Sequence, residues 1–218
     1  MTQPAETGQA GAARLAGVGA YYSERLREHG MTARGVDWNS EASQAVRFDQ
    51  LLKVCDAGTG FSLNDLGCGY AGLVDALAAR GTAFEYRGWD ISEAMVQAAC
   101  VRFAGDPRVR VQTGSIPDSP ADYTVASGIF NVRLDAPDDE WLAHILETLD
   151  VMDRVTTRGF AFNCLTKYSD RDRMRDYLYY ADPCLLFDHC KRRYARNVSL
   201  LHDYDLYEFT ILVRKATA

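Results

Sequence analysis

No run of apolar residues in this 218-residue chain approaches the ~20 that a membrane-crossing helix needs, so no membrane span is expected. Six cysteines stand at positions 55, 68, 100, 164, 184 and 190, but no two form a C-x-x-C pair and the first residues do not read as a secretory signal. Reduced thiols in a cytoplasmic protein are the expectation. Positive charge is also short. Lys and Arg total 24 against 30 Asp and Glu, a formal net charge of −6, whereas tight non-specific binding to nucleic acid draws most of its affinity from cations on phosphates. Only four histidines occur, and no spacing of His, Cys and acids suits a metal. What is present is 47% apolar residues, enough for one domain with a sizeable core.

The organising stretch is Leu63-Asn64-Asp65-Leu66-Gly67-Cys68-Gly69-Tyr70-Ala71-Gly72. It reads as a strand ending in an acid, a glycine turn, and a helix running from near Tyr70 to Gly81. Glycines at 67 and 69 let the backbone turn sharply and let a ligand approach main-chain N–H groups that a Cβ would block. The turn fits G-x-G-x-x-G, a weak signal alone. Asp90 strengthens it, 21 residues after Gly69 and at the end of the next expected strand, Phe84 to Trp89. A carboxylate there can accept both hydroxyl hydrogen bonds of a ribose. A dinucleotide, however, sets its pyrophosphate on the helix N-terminus, where an extra carboxylate repels it, and Asp65 stands two residues before Gly67. An acid in that place suits a ligand with an ammonium and no phosphate, such as the amino-acid end of S-adenosylmethionine.

In its acidic-x-Gly-x-Gly motif and the acid closing its second strand, the chain resembles the class I S-adenosylmethionine-dependent methyltransferases over about residues 40 to 215. The resemblance implies an α/β, Rossmann-like fold: a seven-stranded mixed sheet of order 3-2-1-4-5-7-6 with the last strand antiparallel and helices on both faces. The spacing of the last two strands agrees. Only Asp203-Tyr204-Asp205 separates Asn197–His202 from Leu206–Val213, too short for a parallel crossover. The resemblance further implies S-adenosylmethionine as cofactor, held by Arg47, Asp65, Gly67, Cys68, Gly69, Asp90, Ile91, Ser115, Ile116 and Ser127. One departure stands out. Gly114-Ser115-Ile116-Pro117 occupies the place where the family commonly has an acid or Asn for the adenine amino group. Either the Ser115 hydroxyl serves, or main-chain groups and Ile116 hold the base alone, with Ile91 on its other face.

Residues 1–15 are expected to form a mobile tail, and 16–218 a single methyltransferase domain with a helical cap over about 16–55. Within the cap, Tyr22, Trp38, Gln44 and Arg47 are candidate lid or ligand residues, the alternative being core anchors and a solvated helix face. Arg47 leads them, since it can pair with the cofactor carboxylate. Pro137 starts a helix whose apolar face is Trp141, Ile145, Leu149 and Met152, while His29 and His144 lie in helical stretches with no constellation around them. After the fifth strand, a tyrosine-rich crossover from Lys167 to Pro183 is the expected seat of substrate selection. Lys167, Tyr168, Tyr179 and Tyr180 of this crossover, Asn131 after strand four and Tyr204 in the last hairpin turn are the expected substrate contacts; Lys167, Tyr168, Tyr179 and Tyr180 are expected to converge with Asn131 and His202 over the methyl group, His202 acting as general base.

Relatives that methylate nucleobase amines typically carry Asn/Asp-Pro-Pro-Tyr/Phe after strand four, and this chain has Ser127-Gly128-Ile129-Phe130. The stretch from Phe162 onward is similar to methyltransferases of bacterial sugar and surface-glycan clusters, which implies a small-molecule or glycan acceptor, a polar or sugar-linked hydroxyl. The rivals are an RNA or protein methyltransferase, with Arg192, Arg193 and Arg196 as basic footprint, and a non-catalytic cofactor-binding subunit.

Overall fold

The computed structural model describes residues 4–56, 58 and 60–216, with backbone alone for residues 4–14. Helix α1 (Pro4–His29) comes first, and the tail expected over residues 1–15 lies outside the residues described in full, apart from Leu15. Helix α2 (Glu41–Leu51) opens on Ser40, whose hydroxyl oxygen accepts from Ser43 N at 3.1 Å while Ser43 Oγ accepts from Ser40 N. Two donors that a helix start leaves open are thereby satisfied. Then follow β1 (Phe61–Leu66), α3 (Leu73–Ala79), β2 (Phe84–Asp90), α4 (Glu93–Arg102), β3 (Val109–Thr113), β4 (Ala121–Ala126), α5 (Asp138–Arg154), β5 (Thr156–Leu165), α6 (Pro183–Arg193), β6 (Asn197–Leu201) and β7 (Glu208–Arg214).

The strands form one sheet in the order β3-β2-β1-β4-β5-β7-β6, with β1 to β5 parallel and β7 antiparallel to both its neighbours. This is the fold the motifs implied. Alternation along the strands feeds two cores. Phe160, Phe162 and Cys164 of β5 join Phe209, Ile211 and Val213 of β7 against Trp141, Ile145 and Leu149 of α5 and Leu186 of α6. Ala161 and Leu212, the residues between them, join the other face with Leu51, Leu73, Val74 and Leu77. Each fully buried side chain such as Phe162 contributes roughly 1.5–3 kcal/mol over leaving it exposed.

The carboxyl ends of the five parallel strands open at one end of the sheet, and the antiparallel β7 brings the β6–β7 turn there too, where Thr166 N donates to Tyr207 O at 3.0 Å. No helix separates β3 from β4. Helix α1 crosses this end. A Cβ on Gly19 would lie 3.4 Å from Ile91 O and one on Gly17 would lie 3.3 Å from Leu134 Cδ1. Ser23 Oγ and Ser92 Oγ share a hydrogen bond of 2.8 Å. No described helix is long and apolar enough to cross a membrane.

Candidate active site

The turn after β1 is built by steric need. Gly67 has φ 68°, and a Cβ on it would stand 2.1 Å from Ile129 Cγ2; Gly69 has φ 55°. Ala71 also adopts a left-handed conformation, φ 59°, so α3 begins at Leu73 and not near Tyr70 as the sequence suggested. The N–H groups of Gly67, Cys68 and Gly69 are already engaged. Gly67 N and Cys68 N both donate to Trp89 O, at 2.7 and 3.1 Å, and Gly69 N donates to Asp90 Oδ2 at 2.8 Å. The expectation that a ligand meets these N–H groups is therefore corrected: the glycines serve close packing and turning, and the turn offers no ready cradle for a pyrophosphate.

Around the turn lies a cavity roofed by Leu15, Val18 and Tyr22 of α1, with Asp65, Gly67, Gly69, Asp90 and Ile91 along its floor. Two buried carboxylates face it. Asp65 Oδ2 accepts from Tyr86 Oη at 2.7 Å; burial pushes its carboxyl up to about 7, the tyrosine opposing and the charge of Asp90 adding to the rise. Asp90 Oδ1 accepts from Ser92 N at 2.8 Å; burial raises its pKa, and the bonds from Ser92 N and Gly69 N hold it back. Cys68 lines the cavity as a thiol, since burial pushes its pKa far up. Ser127 Oγ, on the cavity wall, is buried with no partner.

Of the cofactor residues read from the sequence, Asp65, Gly67, Cys68, Gly69, Asp90, Ile91, Ser115 and Ser127 come together here, and Ile116 does not, being 60% exposed and outside the lining. Tyr22, Trp38 and Gln44 line the cavity, with Tyr70 Oη donating to Gln44 Oε1 at 3.2 Å. Arg47 lies behind them. Its Nε and Nη2 donate to Glu208 at 2.9 and 2.6 Å, its guanidinium stacks 3.9 Å from the Trp38 ring centroid, and its Nη1 is buried without a partner. Glu208 accepts in turn from Asn163 Nδ2 at 3.1 Å, and Asn163 Oδ1 accepts from Gly128 N at 2.7 Å. A Cβ on Gly128 would meet Trp38 at 2.5 Å, so the chain of contacts closes on itself around the residues that follow β4.

The residues expected over the methyl group do not line this cavity. Asn131 ties loops, its Oδ1 accepting from Leu165 N at 3.1 Å and its carbonyl from Tyr179 N at 2.8 Å. Tyr179 packs on the core and Tyr180 Oη accepts from Arg175 N at 2.9 Å. Tyr204 Oη shares a hydrogen bond of 3.0 Å with Thr210. Lys167 pairs with Asp182 at 2.6 Å, and Tyr168, 61% exposed, stands ring to ring with an exposed His202 at 6.2 Å. The crossover folds back on the loop after β4 through the Val132–Leu178 bridge. Conversely, Trp141, His144 and Thr148 of α5 line the cavity. Their helical periodicity reads only as a core face, so no local signal marks them.

A family model described as a methyltransferase domain matches residues 64–153. Rv1506c of Mycobacterium tuberculosis (strain ATCC 25618 / H37Rv), provisionally named a methyltransferase, is 58% identical over 166 residues, 76% of this chain and 100% of that protein. Among solved structures, DhpI in complex with SAH superposes with a TM-score of 0.63 at 16% identity, covering 94% of this chain and 98% of that one. The magnesium protoporphyrin IX methyltransferase ChlM from Synechocystis PCC 6803 with bound SAH gives 0.62 at 14% identity, over 80% and 84% of the two chains. Human N-acetylserotonin methyltransferase in complex with SAM gives 0.55 at 17%, over 94% and 68%. Identities this low carry the fold and nothing finer.

Proposed function

Since the chain belongs to the class I S-adenosylmethionine-dependent methyltransferases, we propose that it methylates a small polar acceptor, a hydroxyl of a sugar or glycan-linked group. One observation carries the small size of the acceptor. Helix α1 roofs the cavity through Leu15, Val18 and Tyr22 and is fastened by Ser23 to Ser92, so an acceptor must reach the covered methyl group past this roof, which suits a small molecule better than a folded nucleic acid.

The residues fit the cofactor. Asp90 and Asp65 supply buried carboxylates for a diol and an ammonium, and Ser127 Oγ is an open polar atom on the wall. Asp90 accepts the ribose hydroxyls in this reading, and Arg47 offers the cofactor carboxylate its unpartnered nitrogen, Nη1. When bound, S-adenosylmethionine supplies a cationic methyl group with a good leaving group, so positioning supplies much of the rate. The residues Ser127 to Ile129, held through Gly128 N by Asn163, border the reacting end.

Lys167, Tyr168 and His202 form an exposed rim at the same end of the sheet, with Lys167 Nζ 5.4 Å above the Tyr168 ring. A flat apolar face flanked by polar tips suits the face of a sugar ring. His202 is the proposed base where the hydroxyl must lose its proton, and His202→Gln then lowers turnover by ~10²–10⁴-fold. Against the macromolecular rival, Arg192 is paired with Asp188 and Arg193 with Asp150. With labelled cofactor, incorporation is expected into a small-molecule or glycan extract. Label in tRNA, rRNA or protein overturns the reading.

A further inference from the structure

Two tyrosines stand side by side in α1, and they differ in what holds their hydroxyls. Tyr21 Oη donates to Asp37 Oδ2 at 2.7 Å. Tyr22 lines the cavity, the one polar side chain among the three that roof it, and its hydroxyl makes no hydrogen bond among the described residues. Its ring is backed edge to face by that of Tyr21, with centroids 5.3 Å apart and planes at 86°. The contacts on either side fix its place. Gly19, three residues earlier, lies so near Ile91 that a Cβ would come 3.4 Å from the carbonyl oxygen, and Ser23, the next residue, shares its hydrogen bond of 2.8 Å with Ser92. This turn of α1 therefore sits on the residues that follow Asp90, and Ser92 N donates in turn to Asp90 Oδ1 at 2.8 Å.

Burial pushes the pKa of Tyr22 up, and the charges of Asp37, Asp90 and Glu208 add to the rise, so the side chain stays a neutral phenol within reach of all three acids. Glu208 is the residue that holds Arg47. In S-adenosylmethionine the sulfonium joins the ribose to the amino-acid part. With the ribose on Asp90 and the carboxylate on Arg47, the charged sulfur lies between these two, under the roof residue whose hydroxyl feels both Asp90 and Glu208. We infer that Tyr22 is a specificity residue for the charged form of the cofactor, its hydroxyl oxygen meeting the sulfonium and its methyl group from the α1 side. A neutral phenol offers lone pairs to a cation, and a buried contact of this kind is stronger than the same contact in water. Once the methyl has moved to the acceptor oxygen, the sulfur keeps the electron pair of the broken bond and is neutral. The contact then lapses, and the product is held less tightly than the substrate. The inference rests on the cofactor assignment and not on the acceptor.

Calorimetry with S-adenosylmethionine and S-adenosylhomocysteine, which differ only in the methyl group and its charge, reads this contact. Tyr22→Phe keeps the ring and its packing and removes the oxygen. It should weaken S-adenosylmethionine by about 3–10-fold and leave S-adenosylhomocysteine within about twofold, so that the ratio of the two affinities falls. Val18→Ala, a change in the same roof that removes no polar group, should leave that ratio as it is in the unaltered protein. The inference is overturned by a Tyr22→Phe protein whose ratio is unchanged, whether both ligands weaken equally or neither does, since Tyr22 then serves only to pack the roof. A fall in the ratio with Val18→Ala as large as with Tyr22→Phe overturns it too, because closure of the roof and not the hydroxyl would set the preference. Failure of the unaltered protein to bind either ligand would instead strike the cofactor assignment, and the inference with it.

Discussion

Gly67 concentrates two demands in one residue, a left-handed backbone and the absence of a side chain. Its replacement by Ala sets a methyl 2.1 Å from Ile129 Cγ2 at φ 68°, so a loss of about 2–4 kcal/mol in urea unfolding is expected. Adding Ile129→Ala should return the packing share and leave the backbone share; full recovery would show that φ is not strained. Asp90→Ala should weaken S-adenosylhomocysteine by about 2–4 kcal/mol through two charge-assisted bonds, read by calorimetry. Asp65 makes stability depend on pH in an uncommon direction. Its folded pKa of about 7 lies above the ordinary 3.8, so between those values the folded state keeps a proton that the unfolded state has lost. Stability contributed by this proton is full below about pH 4, falls as pH rises toward 7, and is gone above it. Asp65→Asn should flatten that slope in denaturation curves taken across pH 4–8. Binding of an ammonium favours the carboxylate, so cofactor binding near pH 6 should release a proton, which titrations in buffers of different ionisation enthalpy detect.

At the scale of elements, α2, β5, β7 and the residues after β4 are joined by one buried pair. Arg47 and Glu208 lie 161 positions apart and are 6% and 1% exposed. Breaking a buried pair from one side strands a charge, so Glu208→Gln should cost about 3–5 kcal/mol, whereas Arg47→Met with Glu208→Leu should cost less than the sum of the singles. A denaturant double-mutant cycle checks this, and additive losses would mean that the two residues act separately. Such a pairing is invisible to local pattern. What local pattern did reveal is the strand, turn and acid triplet and the antiparallel final hairpin, because each rests on spacing along the chain, while the strand order came with the family resemblance that the triplet carries. The expected convergence of Lys167, Tyr168, Tyr179, Tyr180, His202 and Asn131 rested only on their being near carboxyl strand ends, which places a residue at the rim without deciding which way it faces. Asn131 and Tyr180 meet main-chain groups of the crossover and of β5 there. His144 and Thr148 were illegible for the converse reason, since a core-facing helix stripe becomes a cavity wall only where no other helix covers it.

For the molecule as a whole, access to the cavity is governed by α1, held by Tyr21 to Asp37 at 2.7 Å, by Arg25 to Asp37 at 2.9 Å, and by Ser23 to Ser92. Saturating S-adenosylhomocysteine is expected to slow amide exchange over residues 15–25 as well as in the glycine turn. Slowing confined to the turn would make α1 a fixed cover. The closed circuit through Trp38, Arg47, Glu208, Asn163 and Gly128 has a further consequence, for the order in which the protein is made. On the ribosome, every strand that binds the cofactor emerges before β7, and so does Asn163, the anchor of the residues after β4, yet the carboxylate that orients Asn163 arrives only with Glu208. A nascent chain therefore carries the glycine turn and both carboxylates while Arg47 and Asn163 still lack their common partner. Stalled chains ending before β7 should leave Asn163 without the partner that orients it toward Gly128, and the competence to transfer a methyl group should appear late in synthesis, at one step, as the last strand slides in between β5 and β6.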